Sequence, residues 1–290
     1  MIIDAHAHLW DRQQGVVNGK EVYSVGGGKS DFGGEIRQMM PPYMLDGRNT
    51  AEMLVANMDY ARVNGAVITQ EYIDGNQDNY LLSVKEKYPK RIKICSLYEE
   101  NADFCLEGFD GIKICAGRMT RRLEDALPVF EAAQKAGKFV GIDLADGDAQ
   151  VPAMEKIIAA CPDVKIAIGH FGMVTRENWE KQIALAMHPN VYIESGGITW
   201  LFHGEFYPYP SAVDAILRAK EICGIEKLMW GSDYPRTMTA ITYLMSLDFI
   251  QKSGKLTEEE KRLFLGENAE KFYGFTHQEE IASIKNMVED

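Results

Sequence analysis

The sequence predicts one (β/α)8 TIM-barrel domain over residues 1–290, with a long first βα loop and extra C-terminal helices. Eight short apolar runs alternate with helical patterns, which is typical of the βαβ units that build a parallel sheet. A chain of 290 residues is also within the length that α/β barrels fill as a single domain. His, Leu and Trp follow the first run, whereas a doubly wound open sheet usually has a glycine-rich turn there. Eight parallel strands therefore favour a closed barrel.

The individual elements follow from local patterns. Each strand is a short apolar or β-branched run, and the eight are predicted over Met1–His6, Gly65–Gln70, Arg91–Leu97, Gly111–Cys115, Phe139–Leu144, Val164–Gly169, Val191–Ser195 and Lys227–Gly231. The helices begin at capping residues such as Thr50 and end near breakers such as Pro89 and Gly137. They are predicted over Thr50–Asn64, Gln77–Tyr88, Arg121–Ala136, Val151–Ala160, Arg176–Met187, Ser211–Cys223 and Thr239–Gln251.

Two segments go beyond a minimal barrel. Residues 9–49 hold eight of the 26 glycines and are too long for an ordinary connection. They leave the first strand at the end where barrels place their active sites, so we expect a loop that covers the site and becomes ordered when ligand binds. Near the C-terminus, Thr257–Tyr273 and Glu279–Met287 are expected to be helices packed outside the barrel.

Composition and charge restrict the class of function. The chain has 31 Lys and Arg against 43 Asp and Glu, a formal net charge of −12, and this disfavours nucleic-acid binding, which needs a basic face. The negative net charge does not exclude a small anionic substrate, because a few Arg or Lys side chains can make the charge inside a pocket positive. The N-terminus lacks a signal-peptide pattern, no apolar run is long enough to span a membrane, and the five cysteines form no C-x-x-C pair. We expect a cytoplasmic protein with a small-molecule substrate; its oligomeric state, a homo-oligomer included, is left open.

The first strand carries the strongest candidate site. His6 and His8 are two residues apart, so both side chains should point to the same face of the strand. At the C-terminal end of a barrel strand that face is the pocket, and two converging imidazoles are a natural metal pair.

Two further strand ends add candidates. His170 ends the sixth strand, and Asp233 ends the eighth. Because the eighth strand of a closed barrel adjoins the first, we expect Asp233 to lie beside the first-strand histidines. His203 follows the seventh strand and is expected near substrate, whereas His188 is interpreted as structural and His277 as a surface residue.

Three motifs carry a family resemblance: IDAHAHLWD, IGHFG and WGSDYP. The sequence resembles the amidohydrolase superfamily, in the branch of pyrone-dicarboxylate lactonase, the sugar lactonases and aminocarboxymuconate-semialdehyde decarboxylase. MDYARVNGAVITQ and NYLLSVKEKYPKRI extend the resemblance across most of residues 1–240. The motifs are specific for the family and say little about the substrate.

The resemblance implies roles for the matching residues. His6 and His8 correspond to a strand-one metal or substrate pair, His170 to the strand-six histidine, and Asp233 to the strand-eight acid–base, which can also bind the metal. Metal-dependent members of this branch commonly have a histidine at the end of strand five, where this chain has Asp143, an oxygen donor that can also bind zinc. We expect one divalent ion, zinc first and manganese as an alternative, held by His6, His8 and Asp233 with His170 or Asp143 completing the ligand set. A metal-free route, in which His6, His8 and His170 would bind the carbonyl oxygen, stays open because lactonases of this branch work without a metal.

Lys113 ends the fourth strand, where binuclear relatives can have a carbamylated lysine that bridges two metals. We favour instead a cation that binds substrate, because the branch is mostly mononuclear or metal-free.

The predicted reaction is hydrolysis of a lactone or a similar ester or amide. Asp233 would activate water, helped by a metal ion or by the histidine cluster. The residues expected to contact substrate are Lys113, Tyr72, Ser195, His203 and Arg236. The alternative is a metal-dependent, non-oxidative decarboxylase of a small carboxylic acid. A non-enzymatic barrel that binds an anion at SGGIT is disfavoured, because it would need neither the histidine pair nor Asp233.

Overall fold

The computed structural model describes residues 1–276, 280–285 and 287. Within these residues the strands are β1 (Ile3–Ala7), β2 (Gln14–Val17), β3 (Lys20–Gly26), β4 (Lys29–Phe32), β5 (Ile36–Gln38), β6 (Gly65–Ile68), β7 (Ile92–Leu97), β8 (Gly111–Cys115), β9 (Phe139–Asp143), β10 (Lys165–Ile168), β11 (Val191–Glu194) and β12 (Leu228–Met229). The α-helices are α1 (Ala51–Ala61), α2 (Asp78–Lys87), α3 (Leu127–Ala136), α4 (Val151–Ala160), α5 (Trp179–Ala184), α6 (Ile198–Leu201), α7 (Pro210–Cys223), α8 (Met245–Gln251), α9 (Glu258–Arg262) and α10 (Asn268–Tyr273).

Eight parallel strands form the barrel, in the order β1-β6-β7-β8-β9-β10-β11-β12. Backbone hydrogen bonds join its two edges, since the amide of Ala5 donates to the Trp230 carbonyl at 2.9 Å and that of His8 to the Tyr234 carbonyl at 2.8 Å. The (β/α)8 barrel predicted from the alternating pattern is thus confirmed.

A buried carboxylate reinforces this closure. Asp4 accepts hydrogen bonds from the amide and the hydroxyl of Ser232, at 2.8 and 2.5 Å, and from the hydroxyl of Tyr243 at 2.8 Å. These contacts tie the first strand to the segment that follows the last one. They fix the loop that carries Asp233 relative to β1.

The core has two main parts. The larger lies between the sheet and the surrounding helices, where side chains such as Leu54, Phe130 and Ile216 are fully buried. The smaller cluster joins six barrel strands to α10 and the residues after it, through Phe272, Tyr273 and Phe275. The C-terminal segment therefore packs against the barrel.

Residues 9–49 form a long connection between β1 and α1, as predicted, but they are not an irregular loop. The segment contains an antiparallel sheet in the order β2-β3-β4-β5. Asn18 and Gly19 both have positive φ, 52° and 73°, so the dipeptide makes the tight turn between β2 and β3 that Asn-Gly favours. The ends of the segment meet at a backbone bridge between Trp10 and Asn49, and β2 is bonded to the loop after β6. The sheet thus lies at the C-terminal ends of the barrel strands.

Several helix predictions need correction. α5 and α8 are shorter than predicted, and short 3-10 turns precede α3 and follow α5. α6 was not predicted. Thr257–Tyr273 is helical after its cap, with a π-type turn at Leu263–Glu267, and Thr257 and Glu260 form a reciprocal capping box.

The second C-terminal helix is not found where the chain is described. Residues 280–285 have no helical assignment, and Glu279 and Asn286 lie outside the described residues, as does His277. Among the helices of the described residues, none is both long and apolar enough to cross a membrane.

Candidate active site

A cavity of about 490 Å³ opens at the C-terminal ends of the barrel strands. Its lining combines charged and titratable residues with apolar ones: His8, Met39, Glu71, Ile73, Cys115, Gly117, Arg118, Asp143, Leu144, Ala145, Asp146, His170, Met173, Trp200, Asp233 and Arg236. Met39 belongs to the segment of the antiparallel sheet, so that segment forms part of the wall. The volume is in the range of small-molecule sites.

Three ligand-type atoms converge in this site. The Nε2 atoms of His6 and His8 are 3.0 Å apart, and Asp233 Oδ1 lies 3.1 Å from His8 Nε2 and 3.8 Å from His6 Nε2. All three residues are buried. The β1 register shifts between Asp4 and Ala7, and His6 and His8 face the same point after this irregularity. The predicted proximity of strands one and eight thus brings these residues together.

Two site residues sit on unusual backbone. His170 and Asp233 follow β10 and β12 with φ of 54° and 57°, the left-handed region that non-glycine residues rarely adopt. Such conformations persist only where the surrounding structure holds them, and they are common at functional sites. At both positions the chain turns sharply as it leaves the strand.

Asp233 is held as a carboxylate. Burial disfavours its charge, but the hydrogen bond with His8 and the nearby charge of Arg236 outweigh burial and keep the pKa of Asp233 well below its usual range. Its other oxygen accepts a hydrogen bond from Trp200 Nε1 at 2.9 Å. Burial and the Arg236 charge lower the pKa of His8, which is therefore neutral.

Two positively charged residues, Lys113 and His170, lie next to the Asp143 carboxylate. Its Oδ1 atom is 2.5 Å from Lys113 Nζ, and its Oδ2 atom is 3.5 Å from His170 Nε2. Burial opposes the charge of Asp143, but Lys113 and His170 outweigh it and hold the pKa of Asp143 well below its usual range. Burial likewise lowers the pKa of His170, yet the charge of Asp143 raises it overall, to about 10. Lys113 is buried behind the cavity wall rather than within the lining described above.

His6 is oriented from behind. Its Nδ1 atom is 2.7 Å from Glu194 Oε1, and the same carboxylate accepts a hydrogen bond from the Gly196 amide at 2.6 Å. The Gly196 carbonyl accepts a hydrogen bond from His170 Nδ1 at 2.9 Å. The end of β11 therefore contacts the back of two site imidazoles.

The residues present fit a divalent metal ion. His6, His8 and Asp233 offer two imidazole nitrogens and a carboxylate oxygen, a donor set typical of zinc. Because His6 donates its Nδ1 proton to Glu194, its Nε2 lone pair is free. His8 Nε2 donates to Asp233 in the metal-free site, and it would bind an ion with the His8 proton on Nδ1, which is buried without a hydrogen-bond partner, 3.7 Å from Asp74 Oδ2. A second group of candidate ligands is His6, Asp143 and His170.

Arg236 is fixed by a carboxylate. Its Nη2 atom donates to both oxygens of Asp74, at 2.9 and 2.8 Å, and its Nη1 atom is 3.9 Å from Asp233 Oδ1. Asp74 raises the pKa of Arg236 further, although burial opposes this. Arg236 lines the cavity as a fixed positive charge.

Arg118 joins the site to a second cavity of about 410 Å³. Its Nε atom is 3.7 Å from Glu71 Oε1, and its side chain is 38% exposed. Burial and the charge of Asp143 raise the pKa of Glu71. Tyr72 lines the second cavity, and its hydroxyl donates to the Tyr98 carbonyl at 3.0 Å. Arg118 is therefore accessible from both cavities.

Two other predicted contacts lie elsewhere. Ser195 is fully buried, and its hydroxyl accepts a hydrogen bond from the Gly231 amide at 3.1 Å. His203 Nδ1 donates to the Trp200 carbonyl at 2.7 Å on the surface. Neither is among the lining residues of the described cavity.

Sequence reasoning missed four residues of this site. The sequence indicates Glu194, because a carboxylate ends an apolar strand there, but the prediction named the neighbouring Ser195 instead. Asp74, Glu71 and Trp200 lie in loops or in the unpredicted α6, where no periodicity assigns a direction to a side chain.

The sequence model of the amidohydrolase family matches residues 3–275. The chain belongs to the amidohydrolase family. This confirms the resemblance seen in its three motifs, and it makes the chain an enzyme with a TIM-barrel fold. None of the curated protein sequences compared with the chain matches it significantly.

Solved structures share the fold of this amidohydrolase. A protein described as a probable 2-pyrone-4,6-dicarboxylic acid hydrolase from Acinetobacter baumannii, with citric acid bound, is 19% identical, with a TM-score of 0.69 over 94% of this chain and 99% of that chain. An amidohydrolase from Burkholderia multivorans with bound zinc is 14% identical, with a TM-score of 0.69 and the same coverage. A 4-oxalomesaconate hydratase from Rhodopseudomonas palustris is 16% identical, with a TM-score of 0.55 over 77% of this chain and 80% of that chain. The structures that share this fold thus include proteins described as a hydrolase and as a hydratase.

Proposed function

We propose that this amidohydrolase opens a lactone or a similar ester with water, using Asp233 as the acid–base and one divalent ion held by His6, His8 and Asp233. The observation that carries the proposal is the convergence of His6 Nε2, His8 Nε2 and Asp233 Oδ1, at separations of 3.0–3.8 Å. This cluster lies at a cavity of small-molecule size. Hydrolysis needs an activated water, a group that polarises the carbonyl and a base. The three residues would hold an ion that could activate the water and polarise the carbonyl, and Asp233 can act as the base.

We assign the ion to His6, His8 and Asp233. In the other set of candidate ligands, which contains Asp143, this carboxylate is already paired with Lys113, and the pairing reduces its capacity as a ligand. The Burkholderia multivorans relative binds zinc, and zinc is the ion we propose first, with manganese as the alternative that a carboxylate ligand tolerates. When bound, the ion would polarise the substrate carbonyl and lower the pKa of a water molecule.

The proton steps belong to Asp233. As a carboxylate, it accepts the proton of the water that attacks the carbonyl carbon. When the bond between that carbon and the leaving oxygen breaks, Asp233 returns the proton to the leaving oxygen. Trp200 Nε1 holds the second carboxylate oxygen and so fixes the direction of the first.

His170 stabilises the developing negative charge. Its raised pKa makes it a cation at neutral pH, and the Gly196 carbonyl fixes its ring through Nδ1. A fixed cation beside the carbonyl oxygen lowers the energy of a tetrahedral oxyanion.

The substrate we propose carries a negative charge. Arg236 and Arg118 line the cavity, and Arg118 also reaches the second cavity, where Tyr72 offers an aromatic face. An extended substrate with a carboxylate near Arg118 would use both spaces. Lys113 acts on the substrate only through Asp143 in this arrangement.

The test is a panel of γ- and δ-lactones, with and without a carboxylate substituent, incubated with zinc-loaded protein in ¹⁸O-labelled water. Hydrolysis puts one ¹⁸O atom into the product and releases a proton near pH 8, because the new carboxylic acid ionises. The Asp233→Asn variant is the blank for background opening.

Two outcomes would overturn the proposal. Release of carbon dioxide from carboxylated compounds without ¹⁸O incorporation would identify a decarboxylase. A panel in which no compound opens faster than with the Asp233→Asn variant would exclude lactone hydrolysis. The cytoplasmic location stays a prediction from the sequence, and the oligomeric state, a homo-oligomer included, stays open.

A further inference from the structure

We propose that Glu194 is a positioning residue that holds His6 in the tautomer needed to bind a metal ion, and that two glycines, Gly196 and Gly231, provide the space for this pair. The inference deepens the proposed function, because it rests on a metal role for His6. It concerns how the chain prepares one ligand before any ion or substrate arrives.

The geometry of the pair fixes the position of a proton. Glu194 Oε1 is 2.7 Å from His6 Nδ1, and both residues are almost fully buried. A carboxylate only accepts hydrogen bonds, so the proton of a neutral His6 must be on Nδ1. The Nε2 lone pair is then free, and it faces His8 and Asp233. Without Glu194, the imidazole could place its proton on Nε2 and lose its capacity as a ligand.

Three glycines surround this pair at the ends of neighbouring strands. A Cβ atom on Gly169 would lie 2.0 Å from Asp143 Oδ1 and 2.7 Å from Glu194 Oε1, so this glycine first makes room for Asp143. A Cβ atom on Gly196 would lie 2.8 Å from His6 Cγ. A Cβ atom on Gly231 would lie 2.7 Å from His6 Cβ and 2.9 Å from Glu194 Oε2. None of the three has a positive φ, so space rather than backbone conformation explains glycine at these positions. Gly196 and Gly231, after β11 and β12, thus leave the space that the His6–Glu194 contact occupies.

Both oxygens of Glu194 are used as acceptors. Oε2 receives the Gly196 amide at 2.6 Å while Oε1 faces His6. A glutamine has one oxygen and one NH₂ group. With its NH₂ group toward Gly196, a donor meets the amide N–H, and with its NH₂ group toward His6, Nδ1 can accept only when the His6 proton is on Nε2. Glu194→Gln therefore keeps the size of the side chain but removes its charge and its capacity to accept from both donors at once.

The matched control is a second glutamate–histidine pair. Glu155 Oε2 is 2.8 Å from His188 Nε2 on the outside of the barrel, and both side chains are exposed. Glu155→Gln makes the same chemical change far from the cavity.

The first measurement is zinc affinity of the full-length, metal-free protein, by competition with a chromophoric chelator and without substrate. Loss of a carboxylate behind a histidine ligand typically costs about 10–100-fold in metal affinity. We expect a loss of that size for Glu194→Gln and a change within about twofold for Glu155→Gln. Circular dichroism at the assay temperature identifies variants that are unfolded.

The second measurement is the tautomer itself, by ¹⁵N NMR of the histidine-labelled, metal-free protein. His6 should carry its proton on Nδ1 in the parent and should shift toward Nε2–H in Glu194→Gln. Gly231→Ala should weaken zinc binding in the same direction without changing any polar group. Gly254→Ala, where an added Cβ meets nothing within 4 Å, should not.

Three results would overturn the inference. They are an Nε2–H tautomer of His6 in the parent, a zinc affinity of Glu194→Gln equal to that of the control, and no zinc binding by the parent. Because these measurements need no substrate, failure to hydrolyse any lactone leaves them unaffected. A positive result here with an inactive lactone panel would retain the metal site and reject only the proposed reaction.

Discussion

Asp143 and Lys113 form an ion pair inside the barrel, with 2.5 Å between Oδ1 and Nζ. The Lys113 side chain is only 2% exposed, and its Nζ atom compensates a carboxylate that would otherwise be buried next to Glu71. The pair occupies the position where the resemblance suggested a histidine and a modifiable lysine.

Removing the lysine should destabilise the fold. Lys113→Met keeps most of the volume but leaves Asp143 with only His170, 3.5 Å away, as a close positive partner. Removing one member of a buried ion pair typically costs about 3–5 kcal/mol. The free energy of unfolding, measured with urea, should fall by this amount, and Asp143→Asn added to Lys113→Met should recover at least half of it. A loss below about 1 kcal/mol would mean that the pair has little energetic coupling.

The same ion pair limits the number of metal ions. A carbamylated lysine requires a free amine, whereas the ammonium of Lys113 is held by Asp143. Elemental analysis of the protein saturated with zinc or manganese and then desalted should find no more than one ion per chain. His6→Ala should lose the ion and His188→Ala should retain it. Two ions per chain would contradict this assignment.

Asp233→Asn should abolish turnover without unfolding the protein. The amide has nearly the same volume and can still accept from Trp200, but it cannot take a proton from water. A positioned general base typically contributes about 10²–10⁴-fold, so kcat should fall within that range. Asp214→Asn, which alters an exposed ion pair with Lys255, is the control. Turnover within about threefold of the parent would reject Asp233 as the base.

Arg118 should select carboxylated substrates. A charge-assisted hydrogen bond contributes about 1.5–3 kcal/mol, so Arg118→Met should raise KM for a carboxylated lactone by about tenfold or more. KM for the matching neutral lactone should stay within about twofold. Arg122→Met, which changes an exposed arginine paired with Glu124, serves as the comparison. Equal effects on both lactones would indicate a general packing role for Arg118.

Much of the fold was predictable because it depends on patterns of short range. The runs that form β6 to β12 are apolar in sequence because parallel barrel strands are covered on both sides. Residues 9–49 escaped prediction because glycine-rich hairpins have little hydrophobic periodicity. The Asn18–Gly19 turn was the signal available there.

The site was predictable only where strand ends determine it. His6, His8, His170 and Asp233 follow or end strands, so the topology alone assigns them to one face. The partners that set their protonation could not be derived in this way. Asp74 comes from a loop and Trp200 from the short helix α6, and their distances depend on how these segments pack.

The contacts between β1 and the segment after β12 have a consequence for synthesis of the chain. Asp4 bonds to Ser232 across 228 residues, and His8 reaches Asp233 across 225. While the chain is being made, the first strand emerges early and must wait for its last neighbour before the sheet can close. Contacts of such sequence separation form late and slowly. A nascent chain that stops before residue 230 would therefore have its first histidines and no base beside them.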